Sequence, residues 1–415
     1  MKLWIVITVT FKLVGFMQAQ YAFKTLKVNY QADFSWELYK KLFSGFKQNT
    51  VISPYSLRKI FSCIQELTIP SDATTSALNK EFNKVLLLKQ QNQLSDLIRR
   101  RYAVQWRAYQ QETALNVTTV ATIIGRAKMS PAFKNLPSTC AMYIRSLQAG
   151  SSKQMGRIMN AAMKNISNNL VEGFFNGSDI DQEWDFFVAD SWKFEGLWKY
   201  EFDEEGTTTC NFYPRKSEKG LMRFMYLEET LKYGYFPKWN TEAVELPFHD
   251  KSQFSCVLMM PVGANIEVMI NSLNHERFQE IYSNMTASKT TVRLPQFKLR
   301  AKLAAKHLLR WMGLNVPFNE TVFHVIDQKK SVSLGDIIQK VEIVMSSKGE
   351  LRAKPYHDRR RGNEFTAHRP FVFVVFDRNG LIPIIIGHIV NTITSKQITP
   401  ESDERLCDHP PRNFY

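Results

Sequence analysis

The sequence predicts an α+β fold, and three observations carry that prediction. Apolar residues at helical spacing concentrate in the earlier part of the chain. Short runs rich in Val, Ile and Phe, bounded by turn-forming residues, dominate the later part. The two kinds of pattern do not alternate regularly, which disfavours a doubly wound parallel sheet. A chain of 415 residues suggests roughly two or three domains. Yet no linker, repeat or low-complexity tract falls between Asp33 and Val390, so the chain reads as one large mixed domain over residues 20–393.

Taken in order, the start reads as a secretory signal over residues 1–19. Lys2 supplies the positive end, Leu3 to Phe11 the apolar core and Ala19 a small residue for cleavage. Lys12 interrupts the run, and a spanning helix needs about 20 mostly apolar residues. A buried N-terminal strand is the competing reading. Phe34, Leu38, Leu42 and Phe46 then recur at helical spacing, and Pro54 can open a second helix in its first turn. Leu94 to Gln111 has a helical pattern, Leu115 to Ile124 is β-branched and strand-like, and Met159 to Leu170 reads as a helix. Phe186 to Val188, Val244 to Leu246 and Phe254 to Met260 read as strands, and Ala301 to Met312 as a helix ended by Gly313.

Val341 to Met345 is a further strand, and residues 346–364 then turn abruptly polar. Gly349, Pro355 and Gly362 break regular structure there, while Arg352, Lys354, Arg359, Arg360 and Arg361 crowd it with charge. The whole stretch is expected to be a presented loop. Phe371 to Phe376 and Leu381 to Ile389 follow as a buried hairpin, with positive φ expected at Asn379-Gly380. Residues 394–415 are polar, contain Pro410-Pro411 and read as a mobile tail.

Charge and cysteine usage narrow the function classes. The formal net charge is +15, or +13 once Lys2 and Lys12 leave with the signal, which favours acidic partners such as sulfated glycans. Export makes nucleic acid the least favoured of these. Sequons at Asn116, Asn165, Asn176, Asn284 and Asn319 agree with export. The five cysteines are widely spaced without a C-x-x-C, so neither a zinc site nor a disulfide framework is expected. Cys407 is the one expected to be reachable, and the others are expected to be buried as small apolar residues. No G-x-S-x-G, H-E-x-x-H or phosphate loop is present, and the eight histidines are scattered, so no enzyme, cofactor or metal is indicated.

Phe365-Thr366-Ala367-His368-Arg369-Pro370-Phe371-Val372-Phe373 resembles the serpin signature that follows the reactive-centre loop, with His368 where the family usually has Asp or Asn. Ile52-Ser53-Pro54-Tyr55-Ser56, Phe194-Glu195-Gly196-Leu197-Trp198, Glu245-Leu246-Pro247-Phe248 and Leu294-Pro295-Gln296-Phe297-Lys298-Leu299 are similar to further family landmarks. All fall in the family's order between Asp33 and Thr392. The resemblance implies three β-sheets, eight or nine helices and an exposed reactive loop, in a secreted monomer.

Inhibitory serpins insert that loop into the central sheet after cleavage, so its hinge must be small and uncharged where it faces the core. Here the hinge is Gly349-Glu350-Leu351-Arg352-Ala353-Lys354-Pro355. Glu350, Arg352 and Lys354 share one face, and Pro355 removes a donor. Ser347 replaces the usual acidic residue, Asp190 and Gln339 replace the usual Asn and His, and Pro370 follows Gly349 by only 21 residues. The expectation is a secreted serpin that does not insert its loop efficiently and acts as protease substrate, decoy, ligand or carrier. The alternative is a working inhibitor of trypsin-like serine proteases. Arg359, Arg360 and Arg361 are the candidate cleavage sites, since such proteases pair Arg with an acidic pocket. A solvated basic loop competes with that reading. Arg99, Arg100 and Arg101 lie where some serpins bind glycosaminoglycans, and a solvated helix face competes there.

Overall fold

A computed structural model describes residues 32–393 apart from 45–47, 69–72, 87–108, 110–113, 125–128, 136–139, 141, 149, 264, 325, 328 and 353–361. The signal (1–19), the tail (394–415) with Cys407, and Arg99, Arg100 and Arg101 lie outside the described residues. So do Ala353, Lys354, Pro355, Arg359, Arg360 and Arg361.

Three sheets organise the chain. The central one has five strands in the order β11 (Phe297–Ala304), β12 (Leu334–Met345), β4 (Phe186–Glu195), β2 (Leu115–Ile124) and β3 (Tyr143–Leu147). The two middle strands, β12 and β4, run parallel. A nine-stranded sheet packs behind it: β1 (Thr50–Ile52), β16 (Ile382–Ile389), β15 (Phe371–Asp377), β9 (Phe254–Met260), β8 (Thr241–Pro247), β7 (Glu218–Phe236), β10 (Thr286–Pro295) and β14 (Asn363–Thr366), with β6 (Asp203–Arg215) also on β7. The third sheet joins only β13 (Gly349–Arg352) and β5 (Trp198–Glu201).

Period-two alternation explains how the sheets share a core. Val341, Ile343, Met345, Trp192 and Phe194 point back into one apolar cluster with Phe224, Phe254 and Phe373. The opposite face of the central sheet offers Val120, Phe187 and Ala189 to helix α5 (Ser152–Ile166). That helix buries Met155, Met159 and Met163, four residues apart, and Ser151 Oγ caps it by accepting from Gln154 N at 3.3 Å. It begins earlier and ends earlier than the sequence predicts, because Asn168 and Asn169 adopt left-handed backbone (φ 52° and 67°).

Helices α1 (32–44), α2 (Pro54–Ile64) and α3 (Ala73–Val85) bury their apolar stripes in the largest cluster. Five shorter α-helices with bounds among the described residues join α5 and these three: α4 (Pro131–Lys134), α6 (Ile266–Ser272), α7 (His275–Asn284), α8 (Ala305–Trp311) and α9 (Val316–Asn319). The helix expected from Ala301 starts only at Ala305. Residues 297–304 alternate buried and exposed and pair with β12, so sheet pairing overrides their helix propensity. Gly313, at φ 102°, stops α8 as expected. In the C-terminal hairpin the positive φ angles fall at Gly380 (111°) and Leu381 (54°), one residue later than Asn-Gly predicts. Asp377 Oδ1 accepts from Asn379 N at 2.8 Å and so keeps Asn379 on the entry side of the turn.

The cysteine expectation is corrected. Cys63, in the last turn of α2, is disulfide-bonded to Cys140, with a Cα–Cα distance of 6.0 Å. Cys210 is also disulfide-bonded. Cys256 is the free thiol among the described residues; it is fully buried, and burial pushes its pKa up. A sequence separation of 77 between Cys63 and Cys140 leaves no spacing signal, and only the fold brings them together.

Candidate functional site

The loop leaves the central sheet at the end of β12, and its first residues are not the free tether that their polarity predicts. Trp198, from the Phe-Glu-Gly-Leu-Trp motif, holds them. Its ring lies flat on Phe248, 4.6 Å between centroids, and its Nε1 donates to Ser346 O at 2.8 Å. Trp198 N donates to Lys348 O at 3.1 Å, and Phe202 N to Ser347 O at 3.0 Å. Residues 349–352 then pair in parallel with β5, Gly349 opposite Trp198 and Leu351 opposite Tyr200. A Cβ on Gly349 would lie 2.1 Å from Glu201 N, so the close backbone approach itself requires glycine. Glu350 is exposed and Leu351 is 45% exposed, so the strand adds backbone pairing without core burial. Neither residue signals a strand in the sequence. The signal lies in Trp198, far earlier in the chain.

The seam between β12 and β4 is where a strand turning back from Met345 would enter the sheet, antiparallel to both neighbours. Asp190 and Gln339 face each other across it, in register. Gln339 Nε2 donates to Asp190 Oδ2 at 2.9 Å and to Ser53 O at 3.1 Å, while Gln339 Oε1 accepts from Ser53 N at 2.9 Å. Thr119 Oγ1 donates to Asp190 Oδ1 at 2.8 Å, and Trp192 Nε1 to the same oxygen at 3.3 Å. The two departures from the family pattern therefore compensate one another: an acceptor-only carboxylate meets an amide that both donates and accepts. Lys59 of α2, 1% exposed, completes the site. Burial lowers its pKa to about 8, while the Asp190 charge pulls it back up. Sequence reasoning found Asp190 and Gln339 but missed Lys59, Thr119 and the Ser53 backbone.

On the α5 side, the segment after that helix is fastened to the same strands. Lys340 Nζ donates to the carbonyls of Glu172 and Gly173 at 3.1 and 3.3 Å, and Lys302 pairs with Asp179. Arg300 and Lys298 both pair with Glu342. Above them, at the head of the sheet, a cavity of about 540 Å³ opens beside the hinge, lined among others by Asn116, Leu170, Lys193, Leu197, Ser346 and Lys348. Asn116 is thus the unusual sequon: it lies half-buried in β2, opposite Lys193. Asn165, Asn176, Asn284 and Asn319 are all exposed.

The far end of the loop returns as β14, parallel to β10, with Asn363 opposite Thr290. The unusual His368 sits behind it, its pKa lowered to about 4 by burial and by the neighbouring Arg369 charge, so it is neutral. Arg369 is buried; burial lowers its pKa and the Glu242 charge opposes that shift. The loop is therefore a span pinned at both roots, with its candidate cleavage residues in between.

A family model described as Serpin (serine protease inhibitor) matches residues 29–392. The chain is 55% identical over 414 residues to an FXa-directed anticoagulant of Aedes albopictus, covering 99% of each chain. It is 55% identical over 413 residues to an FXa-directed anticoagulant of Aedes aegypti, covering 99% of this chain and 100% of that one. Among solved structures, uncleaved ovalbumin matches with a TM-score of 0.79 at 16% identity, covering 88% of this chain and 99% of its own. Mouse protein Z-dependent protease inhibitor matches with a TM-score of 0.77 at 17% identity, covering 89% and 98%. At those identities the structures speak for the fold alone. Family match, full-length relatives and three-sheet architecture agree: the chain belongs to the serpin family.

Proposed function

We propose that this serpin is an exported anticoagulant directed at a trypsin-like serine protease of the FXa type, and that it presents an Arg of the loop without inserting the loop efficiently. The observation that carries the target class is the 55% identity, along essentially the whole chain, to two proteins named for FXa. Arg359, Arg360 and Arg361 supply the residue that such a protease pairs with its acidic pocket. An Arg seated in that pocket excludes other substrates for as long as it stays there, so inhibition does not require insertion.

The hinge supports the second half of the proposal. Insertion has to break the hydrogen bonds of Ser346, Ser347 and Lys348 to Trp198 and Phe202 as well as the pairing with β5. At about 1 kcal/mol each, those three bonds alone slow insertion by roughly 100-fold if they break before the barrier. The charges at Glu350, Arg352 and Lys354 then have to be buried or forced aside. The covalent trap is the second reading, and the parallel β12–β4 seam, open to a strand antiparallel to both, favours it. Incubation of the full chain with FXa separates them. The expected result is loss of FXa activity on a small substrate, with only intact or nicked serpin on a denaturing gel. An SDS-resistant complex establishes the trap instead, and undiminished FXa activity removes the target.

The signal sequence and sequons support export, and the net charge supports sulfated glycans as acidic partners of Arg99, Arg100 and Arg101.

A further inference from the structure

We propose that the Cys63–Cys140 disulfide is a redox-sensitive brace that holds the central sheet at five strands. The proposal rests on the reading that this serpin presents its loop without inserting it, and supplies a second cause for that behaviour. Admitting a strand between β12 and β4 moves them apart by one further strand spacing, about 4.8 Å. Continuous ladders tie β4 to β2 and β2 to β3, so these three strands move together.

Helix α2 is fastened to the other side of the seam. Ser53, at its N-terminus, exchanges two hydrogen bonds with Gln339 of β12 and donates a third, from Oγ, to Ile384 O of β16 at 2.9 Å. Midway along it, Arg58 Nε donates to Leu86 O, just past α3, at 3.1 Å. Cys63 therefore belongs with β12 and the rear sheet. Cys140 stands just ahead of β3, at the outer edge of the moving strands, and Met142 between them is fully buried. The Cα atoms are 6.0 Å apart. Bridged cysteines rarely exceed about 6.8 Å, so the bond leaves under 1 Å of travel where the sheet needs about 5 Å. With the bond closed, opening requires α2, or Cys140 and Met142, to come out of the core as well. Reduction, which takes two electrons from an external dithiol and leaves two thiols, removes that requirement.

A peptide tests the sheet without involving the loop. The probe is a fluorescent peptide of alternating Thr and Ala, matched to the 12 residues of β12, offered to the full chain carrying Cys210→Ser. Dithiothreitol then acts on Cys63–Cys140 without opening the disulfide of Cys210. Uptake, read on a native gel, is expected to be at least about tenfold faster after reduction, and Cys63→Ser with Cys140→Ser should match the reduced protein. Circular dichroism confirms that the reduced form is folded, so the test survives a double variant that does not fold. Equal uptake by oxidised and reduced protein overturns the proposal, and so does uptake by neither. The outcome is independent of the FXa gel: a trap with an unbraced sheet and a decoy with an unbraced sheet both remain readable.

Discussion

Gly349 illustrates how much one side chain can decide. A methyl group there meets backbone atoms of Glu201 at 2.1 and 2.3 Å, and backbone cannot rotate away. Gly349→Ala is expected to expel β13 from β5 and to raise the rate of limited proteolysis within the loop at least about tenfold, since the segment then opens at little cost. The melting midpoint should hold, and an unchanged nicking rate would count against the pairing. His388 sets a pH dependence. It is fully buried, with Nδ1 on Tyr39 OH and Nε2 on Gln48 O, and burial lowers its pKa from 6.5 to about 4. As pH falls below 6.5 the unfolded chain takes up the proton first, so stability present above pH 6.5 is progressively lost down to about pH 4. At pH 5 the loss is about 2 kcal/mol. His275 and His368 act in the same direction. Asp336 opposes them: burial raises its pKa to about 6, so its effect is to lower stability as pH rises from about 4 through 6. The three histidines outweigh it. Urea midpoints should fall between pH 7.5 and pH 5, and His388→Gln should flatten that slope; greater stability on acidification would contradict the assignment.

Among the elements, those with local signals were legible before the fold was known. The Val/Ile/Phe runs of β15 and β16 announce themselves by composition, and the latter half of α5 by its helical pattern from Met159, although its first turns from Ser152 do not. Elements that depend on a distant partner were not. β13 carries Glu and Arg and becomes a strand only because β5 stands beside it. Residues 301–304 satisfy a helical pattern and are a strand only because β12 offers an edge. The candidate site divides the same way: Asp190 and Gln339 could be singled out by position, whereas Lys59 reaches them only once α2 is packed beneath the sheet. The charges of the hinge, in contrast, could be read directly and lead to a prediction at this scale. Glu350→Thr combined with Arg352→Ala, Lys354→Ala and Pro355→Ala should give the trypsin-nicked chain part of the heat resistance that an added strand confers. A nicked quadruple variant that melts where the nicked parent does would show that charge is not the obstacle.

Over the whole molecule, the balance of charge is the coarsest feature and the easiest to test. A formal net charge of +15 favours polyanionic partners, whose binding would release counterions, and Arg99, Arg100 and Arg101 are the proposed centre of that effect. Replacing Arg99, Arg100 and Arg101 with Ala should lower the salt concentration at which the protein leaves a heparin column. Elution at the parent's salt concentration would place the polyanion surface elsewhere.

The rear sheet begins with β1 laid against β16, so the strand order closes the start of the fold onto its end. Tyr39 and His388, which meet in that core, are 349 residues apart. A nascent chain leaving the ribosome cannot pair Thr50–Ile52 until the last hairpin has been synthesised. Until then α1 and β1 present their apolar faces to whatever surrounds them. Folding is therefore post-translational by geometry, slow by contact order, and exposed to aggregation in the interval. A stop codon anywhere before Ile382 removes β16, and with it the partner of β1, the first strand among the described residues.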